Sequence, residues 1–323
     1  MSFSTDPVGF IGLGIMGKGM AARLVSQGVA GTDARPLIVW NRSTEKASDF
    51  AASFPSNNVI VASSAKEVVE KCGVTYSMLS TPEAAASVFN SEVGTLAGVS
   101  AGKAIVDCAT LAESDHASMS IKVKGKGGLY LEAPVSGSKG PAEGGSLIFL
   151  CGGSKEVFDA VLEDGFHVMG KKSFFLGDEV GVGTKAKLVV NSVMGTMLAA
   201  FGEGLALTQS VGLDANTMVE IIGLGAVAAP MYGLKGPKMS KTPSDHTVNF
   251  PLKHAHKDMA LAKKMAEDAG VEYKTNNAAE DIFKRARDNG DLDLADLDFS
   301  AVFEQIHEDS KGKSEYSAKR QKR

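Results

Sequence analysis

The sequence predicts an α/β protein in two parts. A domain built on a parallel sheet covers residues 1–181, an all-helical domain over 182–310 is joined to it by a long helix, and a basic tail occupies 311–323. Three observations lead there. From Val8 to about Leu150, short β-branched runs alternate with helical stretches and glycine-rich turns, which is the rhythm of βαβ units. Beyond Gly183 the texture changes to KAKLVVNSVMGTMLAAFGEGLALTQSVG, which has no proline and few β-branched pairs. Finally, 323 residues with 44% hydrophobic and 22% charged content are enough to bury the cores of two domains.

The elements follow in order. VGFIGLG, PLIVWNRS, NVIVASS, VTYSMLS, KAIVDCAT and LYLEAPV read as six strands, and SLIFLCGG and SFFLG continue the pattern to about residue 177. The stretch 183–211 reads as one long, largely buried helix, and TMVEIIG, PLKHAHKDMALAKKMAEDAG and NNAAEDIFKRARDNG as further helices. The tail, KGKSEYSAKRQKR, carries six Lys or Arg against one Glu and reads as a solvated end.

A net charge of −4 argues against a general nucleic-acid binder, so a small-molecule partner is expected. Three widely spaced cysteines, Cys72, Cys108 and Cys151, form neither a disulfide framework nor a zinc ligand pattern. His254 and His256, two apart on a helix, face different ways, and no metal is expected. The N-terminal residues lack the composition of a signal or transit sequence, and no uninterrupted apolar run reaches the roughly 20 residues of a membrane span. These readings point to a cytoplasmic protein.

GFIGLGIMG sets Gly12, Gly14 and Gly17 in the G-x-G-x-x-G spacing, after a strand and before the helical GKGMAARLVSQG. In that context the first glycine permits the tight turn, the second admits a pyrophosphate and the third lets helix and strand pack. The loop Gly12, Leu13, Gly14, Ile15, Met16, Gly17 is therefore the expected dinucleotide site of a Rossmann-type sheet. An acidic residue after the second strand would bond a ribose hydroxyl and repel a 2′-phosphate. This chain has Asn41, Arg42 and Ser43 instead, which favours NADP (NADPH). The competing reading is a helix start, with Ser43 as the cap. Met78, Leu79 and Ser80 follow the fourth strand, where a loop would line the cofactor, although Thr81-Pro82-Glu83 is also an ordinary helix start.

Thr110 ends the fifth strand, at the sheet edge where open α/β folds bind ligands. The loop with Ser136, Gly137, Ser138 and Gly140 exposes N–H and hydroxyl donors suited to a small carboxylate, or is simply a loop. In GVGTKAKLVVN, helical geometry places Lys187, Asn191, Met194 and Leu198 on one face and turns Lys185 about 200 degrees from Lys187. Lys187 can then work with Asn191 as a proton donor to a carbonyl oxygen, which suits a lysine whose pKa is brought toward neutrality. The alternative is a lysine that snorkels from an amphipathic helix.

GFIGLGIMGKGMA, DCAT, EAPVSGSKGPAEGG, GVGTKAKLVVN and FPLKHAHKDMALA, in this order, resemble the β-hydroxyacid dehydrogenase family, the 3-hydroxyisobutyrate dehydrogenase-like enzymes, over nearly the whole chain. The wording of EAPVSGSKGPAEGG, Asn-Arg-Ser and FPLKHAHKDM is most similar to its NADPH-dependent glyoxylate/succinic semialdehyde reductases. The resemblance implies reduction of glyoxylate to glycolate and of succinic semialdehyde to 4-hydroxybutyrate, with Lys187 as general acid and Asn191 positioning it or the substrate. It further implies that Ser136, Gly137 and Ser138 hold the substrate carboxylate and that Thr110 lies near nicotinamide and substrate. Phe250 would wall the pocket, Asp258 would orient the lysine and Lys257 would reach the cofactor. The family usually has serine before Thr110 where this chain has Ala109. Tartronate semialdehyde reductase and 3-hydroxyisobutyrate dehydrogenase are the nearest alternatives, with a non-catalytic nucleotide-binding scaffold further off. A homodimer or homotetramer, formed through the helical part, is expected.

Overall fold

The strands of the N-terminal part are β1 Val8–Ile11, β2 Leu37–Trp40, β3 Val59–Val61, β4 Val74–Ser77, β5 Ala104–Asp107, β6 Leu129–Glu132, β7 Val135–Ser136, β8 Leu147–Gly153 and β9 Gly170–Phe175. Eight of these nine fall on the runs marked in the sequence, and the ninth, the two-residue β7, arises where the LYLEAPV run breaks at Ala133 and Pro134. The computed structural model describes residues 6–55, 57–241 and 244–310, so the basic tail at 311–323 lies outside the described residues. The chain divides into two compact units, Met1–Lys187 and Leu188–Arg323. The division falls inside the long helix.

In the first unit the sheet order is β3-β2-β1-β4-β5-β6-β8-β7, with β9 on β8. The first six strands are all parallel, whereas β8 runs antiparallel to β6 and β7. Continuous apolar strands are what a sheet covered on both faces requires. Accordingly Phe10, Val39, Tyr76, Val106 and Leu131 join one buried cluster, and Ile11, Ile38, Ile105 and Tyr130 join another. The registers Ile11↔Trp40, Ile11↔Ser77, Ser77↔Asp107 and Asp107↔Glu132 bring the carboxyl ends of β2, β1, β4, β5 and β6 level. Five loops therefore leave one edge of the sheet, the position at which such sheets bind ligands.

The second unit is helical. The long helix spans Val182–Ser210 and is followed by Ala215–Leu224, Pro230–Met239, Leu252–Asp268, Lys274–Asp288 and a last helix at 302–310. Local chemistry sets several starts: the Asp214 carboxylate accepts the Thr217 N–H at 2.7 Å, and Pro230 takes the first turn of its helix, where its missing N–H costs nothing. Leu198, Phe201, Leu205, Met239, Leu252, Met259, Phe283, Phe299 and Phe303 form the core. The long helix and Leu252–Asp268 approach closely because Gly195 has no side chain. A Cβ there would lie 2.3 Å from the Met259 sulfur.

The long helix departs from expectation in one respect. Val189, Val190, Val193 and Leu207 are 42–64% exposed, so the helix is apolar on a face that the described residues leave uncovered. By length and composition alone it could cross a membrane, yet half of its most apolar window is buried in the fold. Lys185, Lys187, Asn191 and Glu203 also lie along it, and it reads as the core helix of a folded protein.

Candidate active site

The glycine loop is built as its spacing requires. Gly12 has φ +96°, and a Cβ there would meet the Met78 carbonyl oxygen at 2.4 Å. At Gly17 a Cβ would fall 1.9 Å from the Gly12 oxygen, so the first turn of the following helix packs directly on the loop. By contrast a Cβ on Gly14 would meet nothing within 4 Å, and Gly14 and Ile15 are exposed. The helix Ile15–Ser26 starts at Gly14 with no side-chain cap and no acidic residue in its first turn. Open space over an uncapped N-terminus is what a pyrophosphate needs, and the residues present fit a dinucleotide.

Asn41 has a role that spacing did not reveal. Its side-chain oxygen accepts the Leu13 N–H at 3.0 Å and its amide donates to the Ser43 carbonyl at 3.0 Å, which ties the glycine loop to the end of β2. Arg42 and Ser43 stand exposed beside it. Ser43 occupies the N-cap position of Thr44–Ala52 without making a side-chain cap bond, so the hydroxyl is not consumed as the helix-start reading supposed. After β4, Met78 and Leu79 are half-buried and Ser80 is exposed. Thr81 does cap its helix, accepting the Ala84 N–H at 3.2 Å with Pro82 at the first turn.

Thr110 is half-buried at the end of the β5 loop. Ala109 before it is fully buried in the cluster with Ile105 and Leu111, so a serine hydroxyl there would enter apolar surroundings. Beneath this loop lies a buried polar chain. Asp107 accepts the Ala109 N–H at 3.0 Å and the Tyr130 hydroxyl at 3.4 Å, and that hydroxyl lies 2.7 Å from His116 Nδ1. Burial pushes the Asp107 carboxyl above its ordinary range, despite His116 nearby. In the EAPVSGS loop, Ser136 and Ser138 are half-buried and Gly137 is exposed at φ +137°, a conformation that favours glycine.

Glu132, at the head of that loop, was missed by sequence reasoning. It is fully buried, and one of its oxygens accepts the N–H groups of Gly181 and Gly183, each at 2.7 Å. The other accepts the Thr184 hydroxyl at 2.9 Å. The carboxylate thus caps the N-terminus of the long helix, where the peptide dipoles favour negative charge. The glycines of GVG make room for it: Gly181 has φ +116°, and a Cβ on Gly183 would meet the Leu150 carbonyl oxygen at 2.2 Å. An acidic residue closing a strand and a G-x-G-T turn are the available signals, but their partnership is not visible at a separation of 49 residues.

One helical turn further on, the two lysines part as the helix angle predicted. Lys185 is exposed and paired with Glu113 at 2.9 Å, a bond that raises its pKa. Lys187 is only 5% exposed.

In the helical unit Asn191, 4% exposed, donates to Asp258 Oδ2 at 2.6 Å. Lys257 Nζ lies 2.9 Å from the other oxygen of Asp258. Ser192, which follows Asn191 in the chain, and Tyr273 share a hydrogen bond at 2.6 Å. His256 faces Glu280 at 2.9 Å and accepts from Arg287 at 3.0 Å, which assigns the proton to Nε2. Among the described residues no group of three or more His, Cys, Asp or Glu could hold a metal ion. Phe250 is half-buried, its ring edge-on to Phe299 at 5.6 Å.

A dinucleotide-type sheet domain that ends on the buried Lys187, followed by a helical unit with a polar Asn–Asp pair, points to a class, the nicotinamide-dependent oxidoreductases. Residues 7–177 match the family described as the NAD binding domain of 6-phosphogluconate dehydrogenase. Residues 181–306 match the NAD-binding domain of NADP-dependent 3-hydroxyisobutyrate dehydrogenase. The chain is 43% identical to glyoxylate/succinic semialdehyde reductase 1 of Arabidopsis thaliana, over 93% of this chain and 98% of that one. It is equally similar, at 43%, to the chloroplastic reductase 2 of the same plant, over 94% and 80% of the two chains. A solved structure of Mycobacterium tuberculosis 3-hydroxyisobutyrate dehydrogenase with L-serine superposes with a TM-score of 0.78 at 26% identity, covering 94% of this chain and 99% of that one. This chain belongs to the 3-hydroxyisobutyrate dehydrogenase-like family of NAD(P)-dependent oxidoreductases, the β-hydroxyacid dehydrogenases.

Proposed function

We propose that the protein reduces short aldehyde acids, glyoxylate to glycolate and succinic semialdehyde to 4-hydroxybutyrate, with NADPH. The observation that carries this reading is the 43% identity, over nearly the full chain, to two reductases named for those aldehydes. Bound NADPH supplies the hydride. Lys187 donates the proton that the carbonyl oxygen takes up, Asn191 sits one turn along the same helix, and Asp258 holds the Asn191 amide. Ser136, Gly137 and Ser138 bind the substrate carboxylate, Thr110 contacts substrate and nicotinamide, and Phe250 limits the space. Residues 12–17 and 78–80 hold the dinucleotide, with Lys257 on the cofactor side.

Selection of NADPH falls to Arg42 and Ser43, supported by their exposure and by Asn41, rather than an acidic residue, directly following β2. The exposed apolar face of the long helix supports a homodimer or homotetramer. Three buried free cysteines fit a reducing compartment, and we place the enzyme in the cytosol.

Two measurements test the reading together. Incubation with NADPH and each aldehyde acid, followed by product analysis by NMR, yields glycolate or 4-hydroxybutyrate in a one-to-one ratio with NADP; any other product removes the assignment. Arg42→Ala raises the KM for NADPH by about 10- to 100-fold, the loss of a charge-assisted phosphate contact, and leaves the KM for NADH unchanged. Equal effects on the two cofactors place Arg42 away from a 2′-phosphate.

A further inference from the structure

A second buried lysine lies outside the residues assigned so far. Lys235, in the helix Pro230–Met239, is 6% exposed, and its ammonium donates to both oxygens of the fully buried Asp298 at 2.7 and 2.9 Å. A buried ion pair of this kind is weak evidence of stabilisation, because desolvation offsets most of the attraction, so what else it does is worth asking. Asp298 also accepts three backbone N–H groups: Asn249 at 3.0 Å, Phe250 at 3.2 Å and Ser300 at 3.2 Å. Burial pushes the Asp298 carboxyl up, but the Lys235 ammonium and the backbone donors outweigh it and hold it below its ordinary value. The carboxylate is therefore charged, and it is needed as a charge to accept five bonds.

Three of the contacts converge on Phe250. Its N–H is held by Asp298, its carbonyl accepts the Phe299 N–H at 2.8 Å, and its ring rests edge-on against Phe299 at 5.6 Å. The Lys235 ammonium lies over that same Phe299 ring, 4.5 Å from its centre. Bonds from Leu252 N–H to the Leu297 carbonyl at 2.9 Å and from Lys253 N–H to the Ala295 carbonyl at 3.0 Å continue the stitching on the far side. Lys235 thus fixes both supports of Phe250, the carboxylate behind its backbone and the ring beneath its side chain.

We infer that Lys235 and Asp298 form a positioning pair that holds Phe250 and so sets which chain length of aldehyde acid the enzyme prefers. The inference rests on the reading of Phe250 as a wall of the substrate site. A loosened wall penalises the shortest substrate most, because that substrate fills the pocket least.

The test compares kcat and KM for glyoxylate, with two carbons, and succinic semialdehyde, with four, in Lys235→Met, Phe299→Leu and Phe250→Ala, with the melting temperature of each. Lys235→Met raises the KM for glyoxylate about tenfold and shifts the ratio of kcat/KM values at least fivefold toward the longer acid, with kcat and the KM for NADPH changing far less. Phe299→Leu, which keeps the ion pair, shifts the ratio in the same direction by a smaller factor and decides the matter if Lys235→Met does not fold. If Phe250→Ala shifts the ratio while Lys235→Met, or failing it Phe299→Leu, lowers only the melting temperature, the pair is merely structural and the inference is overturned. If Phe250→Ala leaves the ratio unchanged, Phe250 does not meet substrate, and the reading of Phe250 falls together with the inference built on it.

Discussion

Lys187→Met lowers the rate of aldehyde reduction by about 10²–10⁴-fold, the usual range for losing a positioned proton donor. Methionine keeps the length and apolar stem of the side chain, and at 5% exposure that matters: a smaller residue would also leave a cavity. The loss therefore appears in kcat, while the affinity for NADPH, measured by fluorescence titration, stays within a few-fold of wild type. The neighbour provides the control. Lys185→Met removes an exposed pair with Glu113, and exposed pairs contribute roughly 0–1 kcal/mol, so activity stays near that of wild type. If the two variants behaved alike, or if Lys187→Met lost NADPH binding instead of turnover, the general-acid role would fall.

Glu132→Ala has the second large effect, on stability and rate together. The substitution leaves the buried N–H groups of Gly181 and Gly183 and the Thr184 hydroxyl without their acceptor. Removing one partner of a buried charge-assisted network costs about 3–5 kcal/mol, which for a chain of this size lowers the melting temperature by on the order of 10 °C. Glu132→Gln loses much less. Its carbonyl oxygen can still accept both N–H groups, and the Thr184 hydroxyl can rotate to accept from the new amide. Calorimetry on the two variants checks this: a Gln variant as damaged as the Ala variant would mean that the negative charge at the helix end matters more than the hydrogen bonds. Because Thr184 lies one turn before Lys187, kcat in Glu132→Ala falls further than the folded fraction accounts for.

Much of this was legible in the sequence, for a physical reason. Strands β1 to β6 are largely apolar runs because most of both faces of the sheet is covered, and a run is visible without knowing its partners. The glycines of the first loop announce themselves because steric contacts of 1.9 and 2.4 Å exclude every other residue at Gly17 and Gly12. The choice of Lys187 over Lys185 needed only the helix angle. What stayed hidden depends on pairs distant in sequence. Glu132 meets its helix 49 residues later, and Lys235 meets Asp298 63 residues later. The position of Asn41 suggests a cofactor contact, but not the bond its side chain makes to Leu13, 28 residues back. The exposure of Val189, Val190 and Val193 was hidden for another reason: an apolar helix face reads the same whether its own chain or another molecule covers it.

Reduction of short aldehyde acids with NADPH is the proposed activity on which the other expected results depend. Initial rates of NADPH oxidation with glyoxylate and with succinic semialdehyde, with NADH in parallel and Lys187→Met as control, measure it. The expected result is saturable turnover of both aldehydes with NADPH, much weaker turnover with NADH, and near loss of turnover in the variant. A protein that binds NADPH yet oxidises it with neither aldehyde would contradict it.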